Sequence, residues 1–434
     1  EFRRVLFRSA IRLVRHWGRR VSMIRRLFFV TLISPFISSP AQAIYDKSVP
    51  SGYVAKLLSN GSENYFSEMN LGWYDEQYAE LKAKIDPRRS YIVIHNRIPS
   101  VPLDLRSPNH FRSSAMNAGL LSLGKLNIGH IMVGWHCEIN GRLYEGNTGI
   151  TGEQENQQRA MAKAGWGLTG LFSIFKDGHV QTPLLTRSVF HEAREKNLPI
   201  ATMAFEVEPE ECGRMLNFLQ AFLSSEKQPY RRFGLNADPL KLEGGGCGSF
   251  AASVVSTSGT ISEFFPYLWR ELYANPRAFG FGLSNLPAEI EPFPVPHPAG
   301  KSRDVNLYGL LLFRSWNASP GQGISIRVMD PEMLFLVQRT IARYSLNDIY
   351  AENKEEGRKI IASPLMQKRI LRDDLNKPRR ESSEDQETNI DRTFDQTAAN
   401  ADYGARLWLK KMRDKGLRAR GFDFNGQPAI LLTR

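Results

Sequence analysis

A thiol that attacks a carbonyl needs help in losing its proton, room for the substrate to reach it, and donors for the oxyanion that forms. Cys247 lies in Gly244-Gly245-Gly246-Cys247-Gly248-Ser249-Phe250, followed by Ala251-Ala252-Ser253-Val254-Val255 and stopped by Gly259. The glycines leave the backbone open to an approaching substrate, and the apolar stretch predicts a helix whose first amides are free. A helix N-terminus lowers a thiol's pKa and donates to developing negative charge. The same glycines also suit a plain loop with a small residue capping a helix.

A thiol nucleophile works with a base in hydrogen-bond reach and a third group that orients the base. The base candidate is His130, at the head of Gly129-His130-Ile131-Met132-Val133-Gly134-Trp135-His136-Cys137-Glu138. Taken alone, a histidine at a strand edge is more often structural than catalytic. Asn140-Gly141 and the run Arg142-Leu143-Tyr144-Glu145 follow, and Asn-Gly between two strand-like runs predicts a two-residue hairpin turn. With that turn position 130 faces position 151, and Asn147 and Glu145 share the face of His130 by parity. Asn147 would orient the imidazole as a neutral partner and lies nearer the His130 end. Glu145 would do so as an anion that also raises the ring's basicity. A bulge or longer turn would bring His136 or Thr148 forward instead.

The order of a histidine heading a hairpin, a further strand and helix, and a cysteine opening a later helix resembles the circularly permuted branch of the NlpC-like, papain-like cysteine hydrolases. Gly129-His130-Ile131-Met132-Val133 and Gly246-Cys247-Gly248-Ser249-Phe250-Ala251 carry the resemblance, over roughly residues 90–270. It implies an α+β fold with an antiparallel sheet, in which the histidine strand precedes the cysteine helix. It also implies attack of Cys247 on an amide or ester, with His130 as base and then acid and a covalent acyl-enzyme. Members of that fold cleave peptide bonds in cell walls or act on lipid esters and amides, so the expected partners are a cell-wall peptide or a lipid or acyl substrate. The separation of 117 residues from His130 to Cys247 exceeds what a minimal permuted domain needs. An insertion that includes the glycine-rich Gly165–Gly170 segment would shape or cover the cleft. The rival reading is a catalytically silent module that binds envelope polymer or a partner protein through the same cleft.

The elements that must position these residues read as follows. A helical pattern runs from Tyr74 to Ile85 and is stopped by Pro87, within an N-terminal arm over 44–88. Tyr91-Ile92-Val93-Ile94-His95 reads as a buried strand. Residues 153–164 read as helix, Gly165–Gly170 as a loop, Phe172–Leu185 as a strand or hairpin, and Ile200–Val207 as a strand. Pro209 opens a helix with Glu210 and Glu211 in its first turn, and Met215, Leu216, Leu219, Phe222 and Leu223 fall at core spacing. These elements form the catalytic domain, 89–286. A proline-rich surface connection follows over 287–304, with five prolines from Pro287 to Pro298. Val305–Phe313 and Ile324–Val328 read as strands and Pro331–Tyr344 as a helix, in a segment over 305–369 that packs on the main domain. Residues 370–400 are charged and poor in large apolar groups, the composition of a disordered linker. The segment 401–434 is expected to fold back as a helix, Tyr403–Asp414, and a hairpin turning at Asn425-Gly426.

Met23, Arg25-Arg26, the apolar run Leu27–Ile37 and Ala41-Gln42-Ala43 have the order of a cleaved signal peptide over 23–43. The alternative is an uncleaved N-terminal anchor, although the run falls short of the roughly 20 apolar residues a span needs. Arg25-Arg26-Leu27-Phe28 is also a partial twin-arginine match. Residues 1–22 resemble the translation of a sequencing adapter and carry no fold signal. Export predicts a periplasmic or secreted protein, or one anchored facing the periplasm, with no stable membrane span after cleavage. Residues 1–43 hold nine Arg and one Glu, or +8 of the formal net charge of +12, so only +4 remains beyond them. The basic balance that would suggest nucleic acid or an anionic membrane belongs mostly to the leader. No phosphate-binding glycine fingerprint or nucleic-acid motif is present, and no cofactor is expected.

The chain has three cysteines, Cys137, Cys212 and Cys247. In an oxidising compartment Cys137 and Cys212 can pair, which leaves Cys247 free. His136 and Cys137 with His95 lack the spaced partner pair of a metal site, so no metal is expected.

Overall fold

The computed structural model describes, apart from short stretches within them, residues 75–97, 104–121, 129–342 and 405–434. The expected leader, the signal segment, most of the N-terminal arm and the 370–400 linker lie outside the described residues.

The chain runs through α1 (Asp75–Lys82), β1 (Ser90–Arg97), α2 (Pro108–Leu121), β2 (His130–Ile139), β3 (Arg142–Thr148) and the short β4 (Ile150–Thr151). Next come α3 (Gln154–Lys163), α4 (Leu168–Phe172), β5 (Ile174–Phe175), β6 (His179–Val180), α5 (Pro183–Glu195), β7 (Ile200–Val207), α6 (Pro209–Ser224) and α7 (Cys247–Ser256). The last elements are β8 (Trp269–Ala274), β9 (Ile290–Glu291), α8 (Leu307–Leu312), β10 (Ile324–Met329), β11 (Arg418–Phe424) and β12 (Gln427–Thr433).

Six strands form the central sheet in the order β11-β12-β7-β1-β2-β3. The β12–β7 pair is parallel and the other pairs are antiparallel, so the fold is α+β with a mixed sheet. The expectation of an antiparallel sheet holds for β7, β1, β2 and β3. The C-terminal hairpin adds the parallel pair.

β1 is buried along its whole length because helices cover both faces of the sheet. On one face Ile92, Ile94, Ile131, Val133, Trp135 and Phe205 pack against α6 and α7. Leu334, Val337, Ile341 and Ala342 join that core, at the helical spacing read over Pro331–Tyr344. On the other face Tyr91, Val93, Met132 and Ala204 pack against Tyr78 and Leu81 of α1 and Val189, Phe190 and Ala193 of α5. A third core, with Phe172, Phe279, Phe293, Trp316 and Ile326, lies about the two-stranded β8/β10 sheet.

The hairpin that carries the candidate base forms as the Asn-Gly pair predicts. Asn140 and Gly141 have φ of 53° and 76°, both left-handed as a type I′ turn requires, and β2 pairs β3 from Ile139↔Arg142 to Val133↔Thr148. The α6 helix follows its signals too. Glu211 Oε2 accepts from the Glu208 amide at 2.8 Å, and Met215, Leu216, Leu219, Phe222 and Leu223 are buried. Cys137 of β2 and Cys212 of α6 form a disulfide, Cα to Cα 5.9 Å, and Cys247 is free.

Four local expectations change. The Gly165–Gly170 segment is a turn only at its start. Gly165 and Gly167 take positive φ, the Trp166 carbonyl accepts from Gly280, and α4 begins at Leu168. Phe172–Leu185 supplies short strands, as one of its two readings expects, but no hairpin: β5 pairs with β9, β6 pairs with β4, and α5 starts at Pro183. Val305–Phe313 contains a helix rather than a strand. Asn306 Oδ1 accepts from Gly309 N at 2.8 Å and caps it, a signal that an apolar run of that length masks. The proline-rich connection is partly anchored, since Phe293 is buried and its amide donates to Ser173 Oγ at 3.2 Å.

Candidate functional site

Cys247 is the first residue of α7, with Gly246 as its N-cap. The loop before it is fixed rather than open. Gly245 donates to the Arg232 carbonyl at 3.0 Å, and Ser249 Oγ accepts from the Gly246 amide at 3.0 Å. Gly244 has φ +110° with its missing Cβ directed at the Arg232 carbonyl, so a side chain there meets both backbone strain and a clash. Gly244 helps seat the cysteine by letting the loop pack closely on the Arg232 backbone.

α7 packs on β2, and the Cys247 thiol reaches the main chain on both sides of His130. Its Sγ lies 3.5 Å from the Gly129 carbonyl, and the Ile131 and Gly248 amides face the sulfur. The His130 ring is held from the other direction: Nε2 lies 2.6 Å from Gln181 Oε1. An amide oxygen accepts only, so Nε2 carries the proton and Nδ1 is the basic nitrogen. Gln181 follows β6. Its own amide donates to the Gly149 carbonyl at 2.8 Å, and its carbonyl accepts from Thr148 Oγ1 at 2.9 Å. A Cβ on Gly149 would stand 2.6 Å from Gln181 Oε1 and 3.2 Å from His130 Nε2. Glycine at 149 therefore leaves room for the histidine–glutamine bond.

The site is enclosed. Cys247 is 7% exposed and His130 9%. Burial pushes the Cys247 thiol up, and the Ile131 and Gly248 amides and the Arg97 charge oppose that without reversing it. The lowering that a helix N-terminus predicts is thus outweighed by desolvation. Burial, aided by the Arg97 charge, holds the His130 imidazole down at about 4, against the opposing hydrogen bond to Gln181. At neutral pH the Cys247 thiol and the His130 imidazole both rest neutral, and no hydrogen bond joins the sulfur to the ring.

The two other sequence candidates lie elsewhere on the hairpin. Asn147 and Glu145 share the face of His130, as parity predicts, because the register places 134 opposite 147 and 136 opposite 145. Asn147 is four residues along β2 from His130, about 13 Å at the strand rise, and sits buried beside the Tyr78 hydroxyl. Glu145 accepts from His136 Nδ1 at 2.7 Å and from Lys82 Nζ at 3.4 Å. Neither reaches the His130 ring. Parity fixed their face but not their distance along the strand. Gln181 was missed because it follows a two-residue strand 51 residues downstream, with no local pattern that marks it.

The rings of His95 and His136 also have partners. His95 bonds Tyr78 Oη at 2.8 Å and Thr202 Oγ1 at 2.9 Å, and His136 Nε2 lies 3.2 Å from the Pro87 carbonyl. Among the described residues no group of three or more His, Cys, Asp or Glu side chains could hold a metal ion, and no helix is long and apolar enough to cross a membrane. Comparisons with family models, curated proteins and solved structures return no match to this chain.

Proposed function

We propose that the protein is an exported thiol hydrolase of permuted papain-like fold that cleaves an amide or ester bond in the cell envelope, with a peptidoglycan peptide as the first candidate substrate. The observation that carries the reading is the seating of the Cys247 sulfur against the main chain flanking His130, while Gln181 holds the His130 ring by Nε2 and leaves Nδ1 basic. The envelope and the substrate class rest on the leader's pattern and the family resemblance.

Because both partners rest neutral, proton transfer accompanies attack. His130 Nδ1 takes the thiol proton as the sulfur–carbon bond forms, and first-turn amides of α7 donate to the oxyanion. Collapse expels the amine or alcohol, which receives the proton from His130. Water, activated by the same ring, then releases the acid and restores the thiol. Gln181 is a positioning residue that holds the ring and its tautomer.

The test is mass detection of an acyl-enzyme on ester probes and muropeptides, with Cys247→Ala and His130→Ala as controls. Both substitutions are expected to abolish turnover. Turnover that survives Cys247→Ala overturns the reading. The pH profile of kcat/KM supplies a second check, since protonating His130 removes the base. Its acid limb is expected near pH 4, where the ring titrates, and a limb at the ordinary 6.5 excludes His130 in that role.

One observation favours the silent-binder reading, the burial of Cys247 and the upward push on its thiol. A silent module leaves Cys247 unlabelled by alkylating reagents and binds envelope polymer unchanged when Cys247 becomes Ala.

A further inference from the structure

Arg97 is the last residue of β1 and pairs directly with His130 of β2. By alternation its side chain stands on the same face of the sheet as the His130 ring. Its side chain is 9% exposed, a rare state for a guanidinium without full pairing. One terminal nitrogen meets Glu192 Oε2 of α5 at 3.4 Å, a long contact to a carboxylate that is itself 30% exposed. The buried Nε has no hydrogen-bond partner. An unsatisfied buried donor on a cation is costly. The Cys247 sulfur lies against the main chain flanking that same His130, and the Arg97 charge bears on both groups.

A buried, incompletely paired guanidinium beside the candidate base is suited to a planar anion that accepts two parallel N–H bonds. A cation whose only role was to activate the thiol would need no orphaned Nε, and its effect here is outweighed by burial. Resting on the thiol-hydrolase reading, we propose that Arg97 recognises a carboxylate on the acyl side of the scissile bond, which makes the substrates acidic amides or esters. Glu192 holds the guanidinium until the substrate carboxylate takes its place or joins it.

The experiment compares alkylation of Cys247 by iodoacetate and iodoacetamide at alkaline pH, read by mass. In both reactions the sulfur displaces iodide and forms one S–CH2 bond, and the reagents differ in the carboxylate. The ratio of iodoacetate to iodoacetamide rates is expected to be about tenfold above that of 2-mercaptoethanol under the same conditions. It is expected to persist in about 0.5 M NaCl, because a buried pair is weakly screened. Arg97→Gln should return the ratio to the small-thiol value. Glu192→Gln, at a part-exposed position that does not threaten the core, should raise it further. Labelling by both reagents with a ratio at or below the small-thiol value, or a preference that salt removes, overturns the proposal and leaves the hydrolase reading standing. Labelling by neither overturns both.

Discussion

The bond between His130 Nε2 and Gln181 Oε1 depends on a residue that does no chemistry. Gly149 leaves the space that a methyl group would take from both atoms. Gly149→Ala should lower kcat by about 100-fold, as a displaced base does, with circular dichroism unchanged. Gln181→Ala should behave alike. Gln181→Glu places a negative charge beside the ring and should move the acid limb of the pH profile upward from about 4. A profile unmoved by that charge removes Gln181 from the positioning role. The buried histidines also set the acid stability. Burial lowers His95 to about 3, and burial with the Arg97 charge lowers His130 to about 4, against 6.5 when unfolded. The unfolded chain therefore binds more protons below 6.5, and stability falls as pH drops from about 6.5 toward 4. The slope is about 1.4 kcal/mol per pH unit for each ring. Urea unfolding across that window measures it, and His95→Gln should remove one of the two contributions. At this scale the sequence singled out Cys247 and His130 as candidates through flanking glycines and strand position, because those are local signals. It could not disclose Gln181 or Arg97, whose relation to His130 exists only through sheet pairing.

Elements with strong local chemistry were legible. The Asn-Gly turn set the β2–β3 register, and acidic residues after Glu208 with Pro209 opened α6. The short apolar run at α8 was misread because length and composition do not separate a buried strand from a short helix. The pairing of β5 and β6 escaped because their partners, β9 and β4, are supplied from elsewhere in the chain. The Cys137–Cys212 disulfide joins the strand of the candidate base to the helix beside the candidate nucleophile's helix, across a 75-residue separation. Reduction should destabilise the protein by about 2–5 kcal/mol, measured as the shift in urea midpoint with and without a phosphine reductant. Thiol titration of the unfolded, unreduced chain should count one group, Cys247, and three after reduction. A count of three before reduction excludes the bridge.

Across the molecule, the central sheet is completed by the two ends of the described chain. α1 covers one face near the N-terminal side, and the β11–β12 hairpin extends the edge beside β7. Ile430 and Leu432 enter one core while Phe422, Phe424, Ala429 and Leu431 enter the other. The terminal segment reads in sequence as a helix and hairpin that dock. Its parallel pairing to β7 does not, because nothing local records which strand it meets. Deleting residues 405–434 should strip both cores and expose the β7 edge, giving aggregation and loss of a cooperative thermal transition. A soluble, cooperatively melting truncation would show that the hairpin is an accessory. The same pairing bears on timing. The register Ala429↔Thr202 to Leu432↔Phe205 joins strands more than 220 residues apart. Contacts of such long range form slowly, so β7 keeps an open edge until β12 docks. Until then that edge is open to pairing with a strand of another chain.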